Sequence, residues 1–319
     1  MVGKLTPDDG TLSASKMPAL MGLSPYTTRN ELLKEAIDAA AGNPPARIPQ
    51  NEAMRFGDLM EPVILREAAY RLDLDHVNTD IDEAVFHPDL PLACSLDGRG
   101  DGGIVFEHNP AHGIYVPQGG VVDTHGPGAM EAKNTSAAPE SAPAPHRGPL
   151  QLQGQMMCTG YAWGAVCVLY RGSELRIFLY RADEDVQAQI EDAVHEFERR
   201  KRDIDWYPAA SSDDANVAWD RVDDAAPALD LNGAPDADHW TSVLLAAREA
   251  RRAAEAEIDE AETMLKEMLG NHEEGRVDAD GSTYYIKWPM RNYKAQPAKT
   301  TEAKPARSIR AKTLTIKEV

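Results

Sequence analysis

Glu131-Ala132-Lys133, at the end of the apolar pair Ala129-Met130, places an acid and an amine two residues apart. In an extended strand the side chains alternate between faces, so Glu131 and Lys133 project from the same side. A second carboxylate arrives in Ser95-Leu96-Asp97-Gly98, and a third in Gly57-Asp58-Leu59-Met60-Glu61. Acids that converge on one ammonium group suit hydrolysis of a phosphodiester. The carboxylates hold a hard divalent cation, and the lysine orients or polarises a water. Taken alone, Glu-x-Lys is commonly a surface ion pair. The ordered set Glu61, Asp97, Glu131 and Lys133, followed by a helix, is what makes the reading specific.

The elements that must position these groups form a mixed α/β pattern. Residues 13–22 read as a short capped helix ended by Gly22, and residues 28–41 as a helix with Leu32, Leu33 and Ile37 on one face. Residues 51–73 carry helical apolar spacing, with Pro62 expected to kink or split the helix beside Glu61. Short strands are expected around Leu92–Leu96 and Gly103–Phe106. The stretch 108–128, rich in Gly, Pro and His, reads as an insertion built on a hairpin of Ile114–Pro117 and Gly120–Asp123. After the strand at 129–133, Pro149 opens a helix through Gly160. The strands Trp163–Tyr170 and Glu174–Arg181 follow, joined by Arg171-Gly172-Ser173, and then an amphipathic helix over 183–205. A second long helix, 239–270, precedes a hairpin at 275–288. Its apolar stripe reads as packing against the main domain in preference to a coiled coil.

Composition narrows the class. A chain of 319 residues can bury a sizeable core. No apolar run approaches the ~18 residues of a membrane span, and the N-terminal residues lack a signal-peptide core, so a cytoplasmic protein without a membrane partner is expected. Cys94, Cys158 and Cys167 form no paired framework, which argues against disulfides, structural zinc and a four-thiolate cluster. The net charge of −19 opposes phosphate binding overall, but the charge is uneven. Residues 209–239 hold eight Asp against Arg221, a balance of −7; residues 287–319 hold nine Lys and Arg against Glu302 and Glu318, a balance of +7. A local basic tail can grip a phosphate backbone despite a global acidic balance. The expected division is 1–207 as the main domain, 208–238 as an acidic linker, and 239–319 as helix, hairpin and basic tail. His108, His112 and His125 read as incidental loop residues, because Pro110 breaks any helix that would align them.

The order Ser13-Ala14-Ser15, Gly22-Leu23-Ser24-Pro25-Tyr26, Asn51-Glu52-Ala53-Met54-Arg55-Phe56-Gly57, Glu61-Pro62, Ser95-Leu96-Asp97-Gly98, Glu131-Ala132-Lys133, Gln151-Leu152-Gln153 and Thr159-Gly160 resembles the YqaJ-like viral recombinase exonucleases over residues 11–207. These are relatives of lambda exonuclease in the restriction-endonuclease-like superfamily. The resemblance implies a mixed sheet flanked by helices, with the long helix and β-hairpin as an appendage. It also implies a Mg2+-dependent enzyme, Mn2+ being a substitute, that digests one strand of linear duplex DNA from a 5′ end. The remaining 3′ strand would pass to a single-strand annealing protein, in the host cytoplasm if the chain is phage-encoded, and the enzyme could work as a homo-oligomeric ring. By the same resemblance, Asp97, Glu131, the Ala132 carbonyl and Glu61 would hold the metal, and Lys133 would position the attacking water and help it lose a proton. Gln151 and Gln153 would project towards the nucleophile or terminal phosphate, and Ser15 and Ser95 would contact the 5′-phosphate.

Two departures from the family pattern stand out. An upstream Arg that clamps the phosphate is replaced by a segment offering only Lys4, with Arg29 or Arg55 as substitutes. In addition, 33 residues separate Asp97 from Glu131. The rival readings are another nuclease of the superfamily, of CRISPR-associated or repair type, and a catalytically silent DNA-binding subunit.

Overall fold

The computed structural model describes residues 11–43, 49–220 and 227–290. These residues fall into two units, one ending at Asp220 and the other running from residue 227 to Met290. In chain order the first unit holds β1 (Leu12–Ser13), α1 (Met17–Leu20), α2 (Arg29–Ala40), α3 (Glu52–Arg71), β2 (His76–Asn78), β3 (Val85–Phe86), β4 (Leu92–Cys94), β5 (Gly98–Gly102), β6 (Val105–Glu107), β7 (Ile114–Tyr115), β8 (Val121–Asp123), β9 (Gly126–Thr135), α4 (Pro149–Thr159), β10 (Trp163–Tyr170), β11 (Glu174–Arg181), α5 (Glu184–Asp203) and α6 (Ser212–Ala218). Side-chain caps set the helix starts. Thr28 and Glu31 form a reciprocal capping box at α2, Asn51 caps α3 and Asp183 caps α5.

A six-stranded mixed sheet, ordered β2-β5-β9-β10-β11-β7, organises this unit. β9 and β10 run parallel and are connected through α4, the crossover that parallel neighbours require. β10 and β11 form the hairpin that their turn residues predict. Both faces of β10 are buried, and its residues alternate between two core clusters. Trp163, Ala165 and Cys167 join Ile64, Leu65 and Leu72 on the α3 side. Val166, Val168 and Tyr170 join Leu152, Met156 and Phe197 on the side of α4 and α5. The neighbouring strand β9, which carries Glu131 and Lys133, likewise sends Ala129 and Met130 into the two opposite layers.

Several local expectations are corrected. α3 runs unbroken through Pro62; Ile64, Leu65, Ala68 and Ala69 bury one face of it, and that packing holds the helix together across the missing N–H. Residues 114–117 and 120–123 do not form a hairpin. β7 instead pairs parallel to β11, and β8 pairs with β6. The segment at 13–22 is strand, 3-10 turn and one helical turn in place of a single helix.

The acidic stretch over 208–238 contains α6, whose buried Asp214 accepts hydrogen bonds from Thr28 Oγ1 (2.5 Å), Asn30 Nδ2 (3.0 Å) and the Ala210 amide (2.8 Å). That carboxylate pins α6 to the N-terminus of α2. His108, His112 and His125 are held separately, by Val116, Asn109 and Asp123. The three cysteines are buried free thiols.

The second unit holds α7 (Ala237–Leu269) and the hairpin β12 (Glu274–Ala279) and β13 (Ser282–Lys287). The hairpin turns through Asp280 and Gly281, both with positive φ, which is the chemistry that Asp-Gly supplies. Within this unit, α7 buries only Leu269. Lys4 and most of the basic tail, from Arg291 onward, lie outside the described residues. No described helix is long and apolar enough to cross a membrane.

Candidate active site

Period-two alternation along β9 decides which groups meet. Ala129 enters the core layer shared with Leu152 and Val166, whereas Met130 enters the layer shared with Ile64 and Leu65. Glu131 and Lys133 share the parity of Ala129 and so face α4. Glu131 is 1% exposed, yet both oxygens of its carboxylate are hydrogen-bonded. Oε1 accepts from Lys133 Nζ at 2.5 Å, and Oε2 accepts from Gln155 Nε2 at 2.6 Å. Lys133 Nζ also donates to Gln151 Oε1 at 3.2 Å. Asp97, just ahead of β5, accepts from the Ala132 amide at 3.0 Å. That bond ties the second acid to the middle of the Glu-Ala-Lys segment.

α4 supplies its polar groups at a spacing of four. Gln151 and Gln155 lie one turn apart on the same helix face and reach Lys133 and Glu131. Gln153, two residues from each, points elsewhere because each residue turns the helix by about 100°. Its Nε2 donates to the Arg181 carbonyl at 2.9 Å, and its Oε1 accepts from the Asp183 amide and from Gln187. The structure thus places Gln153 as the brace between β11 and α5, outside the acid–amine cluster. Gln155 takes the place expected of it. Sequence reading missed Gln155, although its position four residues after Gln151 was the available signal.

Glu61 stands half-buried on α3, the helix on the opposite layer. Its charge still acts on Lys133, alongside those of Glu131 and Asp97. Burial lowers the affinity of the Lys133 amine for its proton, but the three acids outweigh that effect and hold the group above the usual lysine range. Lys133 is therefore an ammonium at neutral pH. Glu131 is pushed up to about 7, first by desolvation and then by the neighbouring Asp97 charge, with Lys133 and Gln155 opposing. Cys167, on the adjacent strand, is raised by the same burial and the same two acids.

The donor set fits a hard divalent cation. Asp97 and Glu131 both offer carboxylate oxygens, and their mutual repulsion is what an added positive charge would relieve. Among the described residues, no group of three or more His, Cys, Asp or Glu side chains is gathered to cage an ion unaided. Waters, a backbone carbonyl and substrate phosphate oxygens would complete the shell, which is the habit of Mg2+. One further acceptor is in place: Gln155 Oε1 is buried and has no hydrogen-bond partner. Its amide orientation is fixed, since Nε2 must face the Glu131 carboxylate and the Ser95 carbonyl, the latter at 3.4 Å.

Ser95 thus borders the cluster through its backbone. Ser15 is exposed in the 3-10 turn that packs against α4, with its hydroxyl 3.1 Å from that of Ser13. Of the residues named from sequence, Asp97, Glu131, Lys133 and Gln151 form one hydrogen-bonded or electrostatically coupled cluster with Gln155. Glu61 joins through its field, the two serines lie at the margins, and Gln153 lies outside.

Residues 8–162 match the family model of the YqaJ-like viral recombinase domain. A comparison with curated proteins gives no significant match. Among solved structures, the chain is similar to the alkaline exonuclease LHK-Exo from Laribacter hongkongensis, with 18% identity, a TM-score of 0.45, and coverage of 62% of this chain and 90% of that one. A structure of LHK-Exo in complex with dAMP gives 20% identity, a TM-score of 0.44 and the same coverage. Asp97, Glu131, Lys133, Gln151 and Gln155 all lie within the stretch that matches the model of the YqaJ-like viral recombinase domain.

Proposed function

We propose that the protein is a magnesium-dependent DNA exonuclease that resects linear duplex DNA from 5′ ends. The 3′ strands it leaves would enter recombination by strand annealing, with an annealing protein as partner in the cytoplasm. One observation carries this reading: the buried network Gln155–Glu131–Lys133–Gln151, with Asp97 bound to the amide between Glu131 and Lys133. As an ion pair alone this network contributes little, because the desolvation of the buried Glu131 carboxylate can exceed what its bond to the partly exposed Lys133 returns. Its place within the recombinase-domain match supports the choice of DNA as substrate.

Asp97 and Glu131 would hold Mg2+, with Glu61 acting at a distance and the Ala132 carbonyl as a further oxygen donor. The ion, when bound, supplies charge neutralisation at the scissile phosphate. The chain's own groups do the rest. Lys133, kept protonated by the surrounding acids, contributes a fixed positive charge that orients a water and offsets charge developing on phosphorus. Because it already carries its proton, it acts as an electrostatic group in preference to a base. Gln151 fixes where that ammonium sits, and Gln155 fixes the rotamer of Glu131. Ser15 and Ser95 would receive the terminal phosphate.

The deciding experiment is digestion of an end-labelled linear duplex, with and without Mg2+, comparing 5′-phosphate, 5′-hydroxyl and circular substrates. Metal-dependent release of nucleotides from linear but not circular DNA is expected. Release from the 3′ label first would overturn the polarity, and no release under any condition would overturn the enzyme in favour of a silent DNA-binding subunit.

A further inference from the structure

Within its own unit, α7 presents an apolar stripe that the other described residues do not cover. Trp240, Ile258 and Met268 are 64%, 59% and 74% exposed, and Leu269 is the only buried residue of the 33 in the helix. A lone helix of this length, about 50 Å, draws little stability from its own hydrogen bonds and is held mainly by packing of its apolar face. The stripe has a strict period. Leu244, Ile258 and Leu265 fall on one seven-residue series, with Arg251 filling the gap. Ala247, Ala254 and Ala261 fall on a second series, three residues after the first, with Trp240 and Met268 at its two ends. Those are the two seam positions of a coiled coil.

Size and charge select the partner and its direction. In a parallel pairing each layer would meet itself: alanine against alanine would leave the seam underfilled, and Arg251 would face Arg251. An antiparallel pairing centred between Arg251 and Ala254 sets large against small in its three central layers and brings Leu265 against the second copy's Trp240 further out. Leu244 lies opposite the second copy's Ala261, Ile258 opposite Ala247, and Arg251 opposite Ala254.

The charges agree with that direction. Residues 255–267 carry six acids against Lys266, a balance of −5, whereas residues 238–252 carry Arg248, Arg251 and Arg252 against Asp238 and Glu249, a balance of +1. A parallel arrangement would lay −5 along −5; the antiparallel one brings the arginine segment beside Glu255 and Glu257 of the other copy. We propose that α7 pairs antiparallel with α7 of a second copy of this chain, joining two recombinase domains through a two-stranded coiled coil. The pairing stands whether or not the domain is a nuclease.

Two measurements on the full-length chain test it. Sedimentation velocity of wild type and of a Leu244→Glu/Ile258→Glu double variant should show the mass of the assembly falling by half, with the helical circular-dichroism signal of the first unit retained. Separately prepared Ala247→Cys and Ile258→Cys chains should form an interchain disulfide when mixed, and far less when each is oxidised alone; the native cysteines are buried and do not compete. A mass that the glutamates leave unchanged places association elsewhere and overturns the proposal. A disulfide dimer formed efficiently by Ala247→Cys alone overturns the antiparallel direction.

Discussion

Replacing Glu131 by Gln separates what the buried carboxylate costs the fold from what it does for metal binding. The substitution keeps the shape of the side chain and copies its protonated form. In the folded protein Glu131 titrates near 7 against an ordinary value of 4.5, with desolvation and Asp97 outweighing the bond to Lys133. Because the folded-state value is the higher one, the native state is least burdened below about pH 4.5 and loses stability as pH climbs through 7. The shift corresponds to about 3 kcal/mol once pH exceeds both values, at ~1.4 kcal/mol per unit, and it already includes the Lys133 ion pair. Urea denaturation without metal should therefore find Glu131→Gln more stable than wild type by about 1 kcal/mol near pH 5.5 and about 3 kcal/mol near pH 8.5. Added Mg2+ should raise the wild-type midpoint and leave the variant unmoved, and the variant should release no nucleotide from linear duplex. A stability gap that is flat with pH, or a variant less stable than wild type at pH 8.5, would refute the reasoning about burial. Equal stabilisation of both proteins by Mg2+ would remove Glu131 from the metal site.

Lys133→Ala should lower the cleavage rate by about 10²-fold or more while leaving the Kd for duplex DNA within a few-fold; a matched loss in both would reduce Lys133 to a phosphate contact. Gln153→Ala and Gln155→Ala should behave oppositely despite sitting two residues apart. The first loses the brace to Arg181, Asp183 and Gln187 and should cost about 2 kcal/mol in thermal or urea unfolding with activity per folded molecule kept. The second should cut the cleavage rate and weaken Mg2+ binding, read by titration calorimetry, with a smaller stability change. Gly128→Ala should prevent stable folding, because its Cβ would lie 2.2 Å from the Trp163 ring, a fully buried side chain that also donates to the Gly126 carbonyl; a soluble variant with an unchanged midpoint would show that β9 can shift away from β10.

What could be read in the linear chain was whatever depends on neighbours in sequence. The alternation that puts Glu131 and Lys133 on one face, the Arg171-Gly172-Ser173 hairpin, the Asp-Gly turn and the start of α4 at Pro149 all follow from local periodicity and backbone preference. So did the candidate acids, because residue type limits who can hold a cation. The tertiary structure decided the rest, since it depends on which surfaces have partners. Burial on one face kept α3 whole through Pro62. Competition among strand edges sent β7 to β11 and β8 to β6. A single buried carboxylate, Asp214, drew an acidic stretch into a helix on the main unit. The choice of Gln155 over Gln153 was within reach of a helical wheel, but only the packing of α4 against β9 showed which face of that helix the acids would meet.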